Sequence, residues 1–266
     1  MELGLEGKRA LVTGSSSGIG EAIAKGLAKE GVQVIVHGRN KAEVDRVVRE
    51  ITEVNKKAKA VYGDLTDDNK AERVANDALS AFGGIDILVN NAGAFPVHDW
   101  SKIQPAEWLA LYNTNVVSMV RMLQWILPEM RKLGWGRIIQ IASIAGTIPS
   151  PSNPDYAATK AANLSMTVSL AKELAGSGIT VNSVSPGPIV TPGLKETLLQ
   201  VAVERKWNQE WKEIERRAVK EVLPTLIGRF GKPEEVADLV TFLASERAGF
   251  ITGTNHRIDG GRAGII

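Results

Sequence analysis

"KRALVTGSSSGIGEAIAKGLAKEGVQVIV", residues 8 to 36, decides how the rest of the chain is read. The short run "KRALVT" (8–13) breaks into a turn of glycine and serine, a helix is expected from Gly18 to Glu30, and "VQVIV" (32–36) follows. Two strands joined through a helix make a βαβ unit. The turn "TGSSSGIG" (13–20) lies where strand gives way to helix, so unpaired backbone N–H groups and the positive helix end converge on one spot. A pyrophosphate fits there. Gly14 permits the tight turn, Gly18 lets backbone approach phosphates, and Gly20 permits close packing of helix on strand. Ser15, Ser16 and Ser17 add hydroxyl donors. A glycine-rich turn alone is a weak signal, and its βαβ setting is what gives it weight.

Outward from this unit the rhythm repeats. Strands are expected near 58–62, 85–90, 137–143 and 179–184, and helices near 41–55, 67–82, 105–133, around 154–163 and at 232–245. The fold class is α/β: a doubly wound, Rossmann-type parallel sheet with helices on both faces, in one domain spanning 1–266. Residues 192–222 depart from the alternation, being helical in pattern and highly charged, with Trp207 and Trp211 at i,i+4 spacing. They read as an inserted substrate lid, and the two tryptophans either face a substrate or form the buried stripe of an amphipathic helix.

Composition narrows the function. With 266 residues, 44% hydrophobic and 23% charged, the chain can bury roughly 70 to 75% of its unfolded surface. Its 32 basic and 30 acidic residues are spread evenly, so no polybasic stripe argues for nucleic acid. The absence of cysteine and the wide separation of His37, His98 and His256 argue against a metal site. "MELGLEGKRALV" lacks a long apolar core, and no run reaches the ~18 apolar residues of a membrane span. A cytoplasmic protein with no membrane partner is expected.

A dinucleotide fold usually carries an acid about 20 residues after its glycines, where it holds the adenosine ribose hydroxyls. Here that region reads "VHGRN" (36–40): Gly38 offers no carboxylate, and Arg39 offers a guanidinium suited to a 2′-phosphate. NADP(H) is therefore preferred, with NAD(H) as the alternative.

In "PDYAATKAAN" (154–163), Tyr156 and Lys160 stand four residues apart and so share a helix face. At about 4 Å and an effective dielectric near 20, phenolate and ammonium attract by about 4 kcal/mol, or roughly three pKa units. A phenol near 10 is expected to move toward 7, where it exchanges protons at neutral pH while a nicotinamide supplies hydride. Ser143 ends the preceding strand, at the edge where ligands of such sheets bind.

Taken together, "TGSSSGIG" at 13, "GDL" at 63, "NNAG" at 90, Asn115, Ser143, "YAATK" at 156 and "PGPIVT" at 186 resemble the short-chain dehydrogenase/reductase family over nearly the whole chain. The resemblance implies a seven-stranded parallel sheet assembled as a homotetramer or homodimer. It makes Tyr156 the acid/base, Ser143 its partner in holding a carbonyl, Lys160 a charge that also binds nicotinamide ribose, and Asn115 the holder of a water linked to Lys160. For the cofactor it implies Gly14, Ser16, Ser17, Gly18, Ile19 and Gly20 at the phosphates and Arg39 beyond them. Asp64 and Leu65 would lie at the adenine, Asn91 at the adenosine ribose, and Ile189 and Thr191 at the nicotinamide carboxamide.

"GRFGKPEEVADLVTFLAS" (228–245) and "TGTNHRIDGG" (252–261) resemble the 3-oxoacyl-carrier-protein reductases and the alcohol and sugar dehydrogenases drawn like them. A carrier-protein partner needs basic contacts, for which Arg131, Lys132 and Lys172 are candidates. The tryptophan-bearing segment and the loop "AFPVHDW" (94–100) depart from that subgroup and leave room for a bulkier or more apolar ketone. His98 reads as a surface histidine or a substrate contact. The apolar end "RAGII" (262–266) either packs at a subunit interface or frays. The expected activity is reduction of a ketone, with a non-catalytic nucleotide sensor or an NAD-dependent sugar or alcohol dehydrogenase as alternatives.

Overall fold

The computed structural model describes residues 2–54 and 56–264, so the last two residues of the apolar tail lie outside it. The first unit is β1 (Arg9–Val12), α1 (Gly18–Lys29) and β2 (Gln33–Gly38). Next come α2 (Lys41–Glu53), β3 (Ala58–Tyr62), α3 (Asp68–Phe82) and β4 (Ile87–Asn90). The second half runs α4 (Pro105–Tyr112), α5 (Ser118–Leu133), β5 (Gly136–Ile141), α6 (Pro154–Glu173) and β6 (Ile179–Pro186). It closes with α7 (Pro192–Glu204), α8 (Trp211–Glu221), α9 (Pro233–Ala244) and β7 (Asn255–Ile258). The strands form one seven-stranded sheet in the order β3-β2-β1-β4-β5-β6-β7, every neighbouring pair parallel.

Local chemistry explains the boundaries. Asn40 caps α2 by accepting from the backbone N–H groups of Ala42 and Glu43, and Asp67 caps α3 by accepting from that of Lys70. Gly83 ends α3 and Gly134 ends α5 in the left-handed conformation. Proline stands at the first helical position of α4, α6, α7 and α9, where its missing N–H is not needed.

The strands are apolar on both faces because both are covered. Ala10, Val12, Val34, Val36, Ile87 and Val89 point to one layer, with α1, α2 and α9. Leu11, Ile35, Leu88, Ile138 and Val181 point to the other, with α3 and α5. Within the first layer α1 packs closely on α9: a side-chain carbon at Gly26 would lie 3.3 Å from both Ala237 Cβ and Thr241 Oγ1.

One expectation is corrected. The helix anticipated over 105–133 is not continuous, because Asn113–Val117 form a π-turn between α4 and α5. The extra residue widens the ladder there, as is common near functional sites. Gly26→Val is expected to cost about 2 kcal/mol through overpacking, read as a lower urea midpoint with unchanged slope.

Candidate active site

Sheet order reverses between β1 and β4, so the crevice at the carboxyl edge opens beside the turn after β1. Gly14, at φ 63°, makes that turn in the left-handed region, and a side chain there would lie 2.9 Å from Ala92 Cα. Ser17 is the N-cap of α1 and Glu21 N–H is the first to bond back into the helix, to Ser17 O, so the N–H groups of Gly18, Ile19 and Gly20 have no helical acceptor. Gly20 is hemmed by Gly14 O and the Asn91 amide rather than by a strand: a Cβ would sit 2.3 and 2.4 Å from them. The donors at this helix start, with no side chain at 18 or 20, fit a pyrophosphate.

Ser15 is a correction to the expected donors, since its buried hydroxyl donates to Val12 O at 2.7 Å and accepts from His37 N–H at 3.0 Å. Ser16 and Ser17 keep free hydroxyls, and Arg46 braces the loop by donating to Ser16 O at 3.2 Å. Three glutamates, Glu21, Glu43 and Glu50, hold the Arg46 guanidinium in place. Asn91 donates through Nδ2 to Thr13 O and Gly14 O, both at 3.0 Å, so that amide is spent on the loop itself.

At the end of β2 a side chain on Gly38 would meet Val44 Cγ2 at 2.8 Å and Ser16 Oγ at 3.0 Å, which leaves no room for a carboxylate. Arg39 is exposed and enters no ion pair among the described residues. Asp64 Oδ1 accepts from Thr66 N–H and Oγ1–H, which with nearby Arg39 holds this carboxyl below its usual range. Leu65 is buried, its carbonyl accepting from Arg121 at 3.2 Å. Thr191 caps α7 and stands against the phosphate turn, a Cβ on Gly18 lying 3.4 Å from its methyl. Ile189 is buried and bridges to Gly231.

Ser143 follows β5 and caps a single 3-10 turn, Ile144–Gly146, accepting from Ala145 N–H at 3.1 Å. That turn lies tight on α6, a Cβ at Gly146 falling 2.8 Å from the Lys160 carbonyl carbon. Lys160 reaches back across it and donates to Ile141 O at 2.8 Å, with Nζ 5.6 Å from the centroid of the Tyr156 ring. Asn115, in the π-turn, is fully buried; it accepts from Ala94 N–H at 2.8 Å and donates to Ala94 O and Thr159 Oγ1.

The proton affinities correct the expectation for the pair. Burial pushes the Tyr156 phenol up to about 12, with the Ser143 hydroxyl pulling the other way, and burial brings the Lys160 ammonium down to about 8. Loss of water governs both groups in the protein alone, ahead of the charge one helical turn away.

This arrangement, a phosphate turn at the switch point and a Ser, Tyr and Lys gathered at the end of β5, can be set beside known proteins. The family model described as short chain dehydrogenase matches residues 8–201. The chain belongs to the short-chain dehydrogenase family. Among the similar members are an uncharacterized oxidoreductase of Bacillus subtilis, YvaG, 41% identical with 98% of each chain covered, and the 3-oxoacyl-[acyl-carrier-protein] reductase FabG of Thermotoga maritima, 37% identical over 97% of this chain and 98% of the other. A crystal structure of L-sorbose reductase from Gluconobacter frateurii, complexed with NADPH and L-sorbose, superposes at a TM-score of 0.94 with 35% identity over the whole of both chains. The expected family and fold are thereby borne out, and the chain is an oxidoreductase of the short-chain dehydrogenase type.

Within this short-chain dehydrogenase, residues 192–222 supply most of a small apolar cluster, Leu198, Ala202, Trp207, Ile214, Ala218 and Val219, which Phe230 completes from beyond the segment. Trp207 is buried in it and Trp211 packs against it, but the single helix expected to carry both is broken: Trp207 lies in the link between α7 and α8, and only Trp211 stands on a helix, at the start of α8. The candidate basic contacts are partly engaged, Arg131 with Glu173 at 2.7 Å and Lys132 with Glu129 at 2.6 Å.

His37 was overlooked as a site residue. It accepts from Gly14 N–H through Nδ1 at 3.1 Å, so Nε2 carries the proton and donates to Gly63 O at 3.2 Å. The imidazole thus ties the phosphate turn to the loop bearing Asp64. Its sequence signal was a polar ring at the inward period of "VIVHG", on the face of Ile35. Burial lowers it from 6.5 to about 4. The unfolded chain therefore takes up the proton first, and stability present above pH 6.5 is lost as pH falls toward 4, by about 3 kcal/mol. Calorimetry is expected to show a steeper loss over that window for the wild type than for His37→Gln.

Proposed function

We propose that this short-chain dehydrogenase is an NADPH-dependent reductase of ketones. The observation that carries the reading is the convergence of Ser143, Tyr156 and Lys160 at the end of β5, with Tyr156 partly open to the cleft and Lys160 buried beneath it. NADPH supplies the hydride when bound, and the N–H groups that open α1 are suited to its pyrophosphate. Its 2′-phosphate suits the free Arg39, and the tight packing around Gly38 disfavours the acid that NAD would call for. The similar sorbose reductase and an Agrobacterium tumefaciens 3-oxoacyl reductase described with NADP bound support the same choice.

The protein's own groups supply the proton. A phenol raised to about 12 stays protonated at neutral pH and donates to the carbonyl oxygen as charge develops there. Ser143 Oγ accepts from Ala145 N–H, and its O–H, which turns to the phenol in the protein alone, donates to the same oxygen once a carbonyl enters. Lys160 at about 8 is mostly ammonium at pH 7, and it stabilises the phenolate left behind and returns a proton to it. Asn115 supports the helix turn that carries Tyr156, since Thr159 Oγ1, which it contacts, donates to Tyr156 O.

The substrate reading is a ketone or 3-oxoacyl group, covered on one side by the 192–222 segment as a lid. Exposed Leu109, Tyr112 and Trp125 on α4 and α5 support a subunit face, consistent with a homodimer or homotetramer. Among the described residues no helix is long and apolar enough to cross a membrane; a cytoplasmic location remains part of the proposed reading.

Tyr156→Phe is expected to lower NADPH oxidation at least ~1,000-fold across acetoacetyl thioesters, cyclic ketones and ketoses while leaving NADPH binding within about twofold. A wild type inert on the whole panel would instead favour a nucleotide sensor. Arg39→Asp is expected to raise the NADPH KM ~10-fold or more and improve NADH, read from kcat/KM with each cofactor.

A further inference from the structure

Asp155 immediately precedes Tyr156 in the first turn of α6 and is 1% exposed. Its Oδ2 lies 2.8 Å from His98 Nδ1, and its Oδ1 is buried with no hydrogen-bond partner among the described residues. A buried carboxylate with one partner depends on that partner, since losing it strands the group away from water. His98 belongs to the 94–100 loop, and its backbone N–H also donates to Ser152 O at 2.9 Å. At the start of the loop Asn115 grips both the N–H and the C=O of Ala94. Between these anchors Phe95 sets its ring against that of Tyr156, edge to face, with centroids 4.7 Å apart.

We propose that His98 is a positioning residue: its imidazole, held by Asp155, fastens the 94–100 loop to the first turn of α6 and so keeps Phe95 against the Tyr156 ring. The proposal rests on Tyr156 as the proton donor. Asn153, the N-cap of α6, makes no side-chain capping bond, so this turn is steadied from outside the helix by His98 on Asp155 and by Asn115 on Thr159. Phe95 covers part of the phenol, and its removal admits water and relieves the burial that raises Tyr156.

Each group has a defined set of neighbours. His98 faces Asp155 of α6 and, through Nε2, Glu107 of α4 at 3.8 Å, while Asp99 turns to Lys102 at 2.9 Å. Tyr156 faces Ser143 after β5, Lys160 within α6 and Phe95 on the loop. Because His98 Nδ1 meets the carboxylate while Nε2 stays beyond hydrogen-bond reach of Glu107, a side chain that supplies one donor at the Nδ1 position suffices.

The test uses the full chain with His98→Ala and His98→Asn, whose amide N–H takes the place of Nδ1–H. Tyrosine ionisation is followed by ultraviolet absorbance without cofactor, Tyr156→Phe identifying which transition belongs to Tyr156. His98→Ala is expected to shift that transition down by about one pH unit and to lower kcat ~10-fold, with NADPH affinity kept within about twofold. His98→Asn is expected to restore most of both. An unchanged transition and kcat in His98→Ala, or no recovery in a cooperatively folded His98→Asn, overturns the proposal. Should His98→Ala fail to fold, Phe95→Ala is expected to produce the same downward shift, and its absence counts against the clamp. Failure of Tyr156 as proton donor is distinguishable, because it appears as turnover in Tyr156→Phe and leaves the cofactor-free titration intact.

Discussion

Parallel pairing is the constraint on which the rest depends. When all seven strands run the same way, every strand must end on one edge, and each connection must return across a face of the sheet. Residues far apart in the chain are thereby delivered to one rim: the glycine-rich turn after β1, Asn91 after β4, Ser143 after β5, and Ile189 and Thr191 after β6. The helices that cover the faces leave β5 buried along its whole length, and that dryness extends up to the Lys160 ammonium, which donates to the carbonyl of its last residue, Ile141.

Dryness at that rim sets the electrostatics. Tyr156 and Lys160 respond to the loss of water in opposite directions, the phenol gaining affinity for its proton and the ammonium losing it. The same physics acts at His37, which burial keeps neutral even though the Gly63 carbonyl at Nε2 pulls the other way. Charge that stays wet behaves differently. Arg46, on α2 amid Glu21 of α1 and Glu43 and Glu50 of its own helix, keeps its proton more firmly than a free guanidinium and serves as a brace.

Much of this was legible in the sequence because the signals were local or periodic. The alternation of apolar runs and helical patterns gave the strand boundaries to within a few residues, and the glycines of 13–20 marked the turn that must accept positive φ at Gly14. What escaped was tertiary. Nothing in "LYNTNVVSM" announces a π-turn, which arises where Asn115 must reach Ala94 and Thr159 together. The i,i+4 spacing correctly placed Tyr156 and Lys160 on one helix face, but spacing carries no information about burial, so the sign of the phenol shift was misread. His98 looked like a surface residue because its partner, Asp155, lies 57 positions away.

The small cluster under α7 and α8 is separate from the two layers that flank the sheet. A segment with its own interior is free to diverge: replacements inside it are absorbed among seven buried side chains, and the strands beneath do not have to repack. Descendants of one scaffold can therefore reshape residues 192–222 while the seven strands and their carboxyl rim stay as they are.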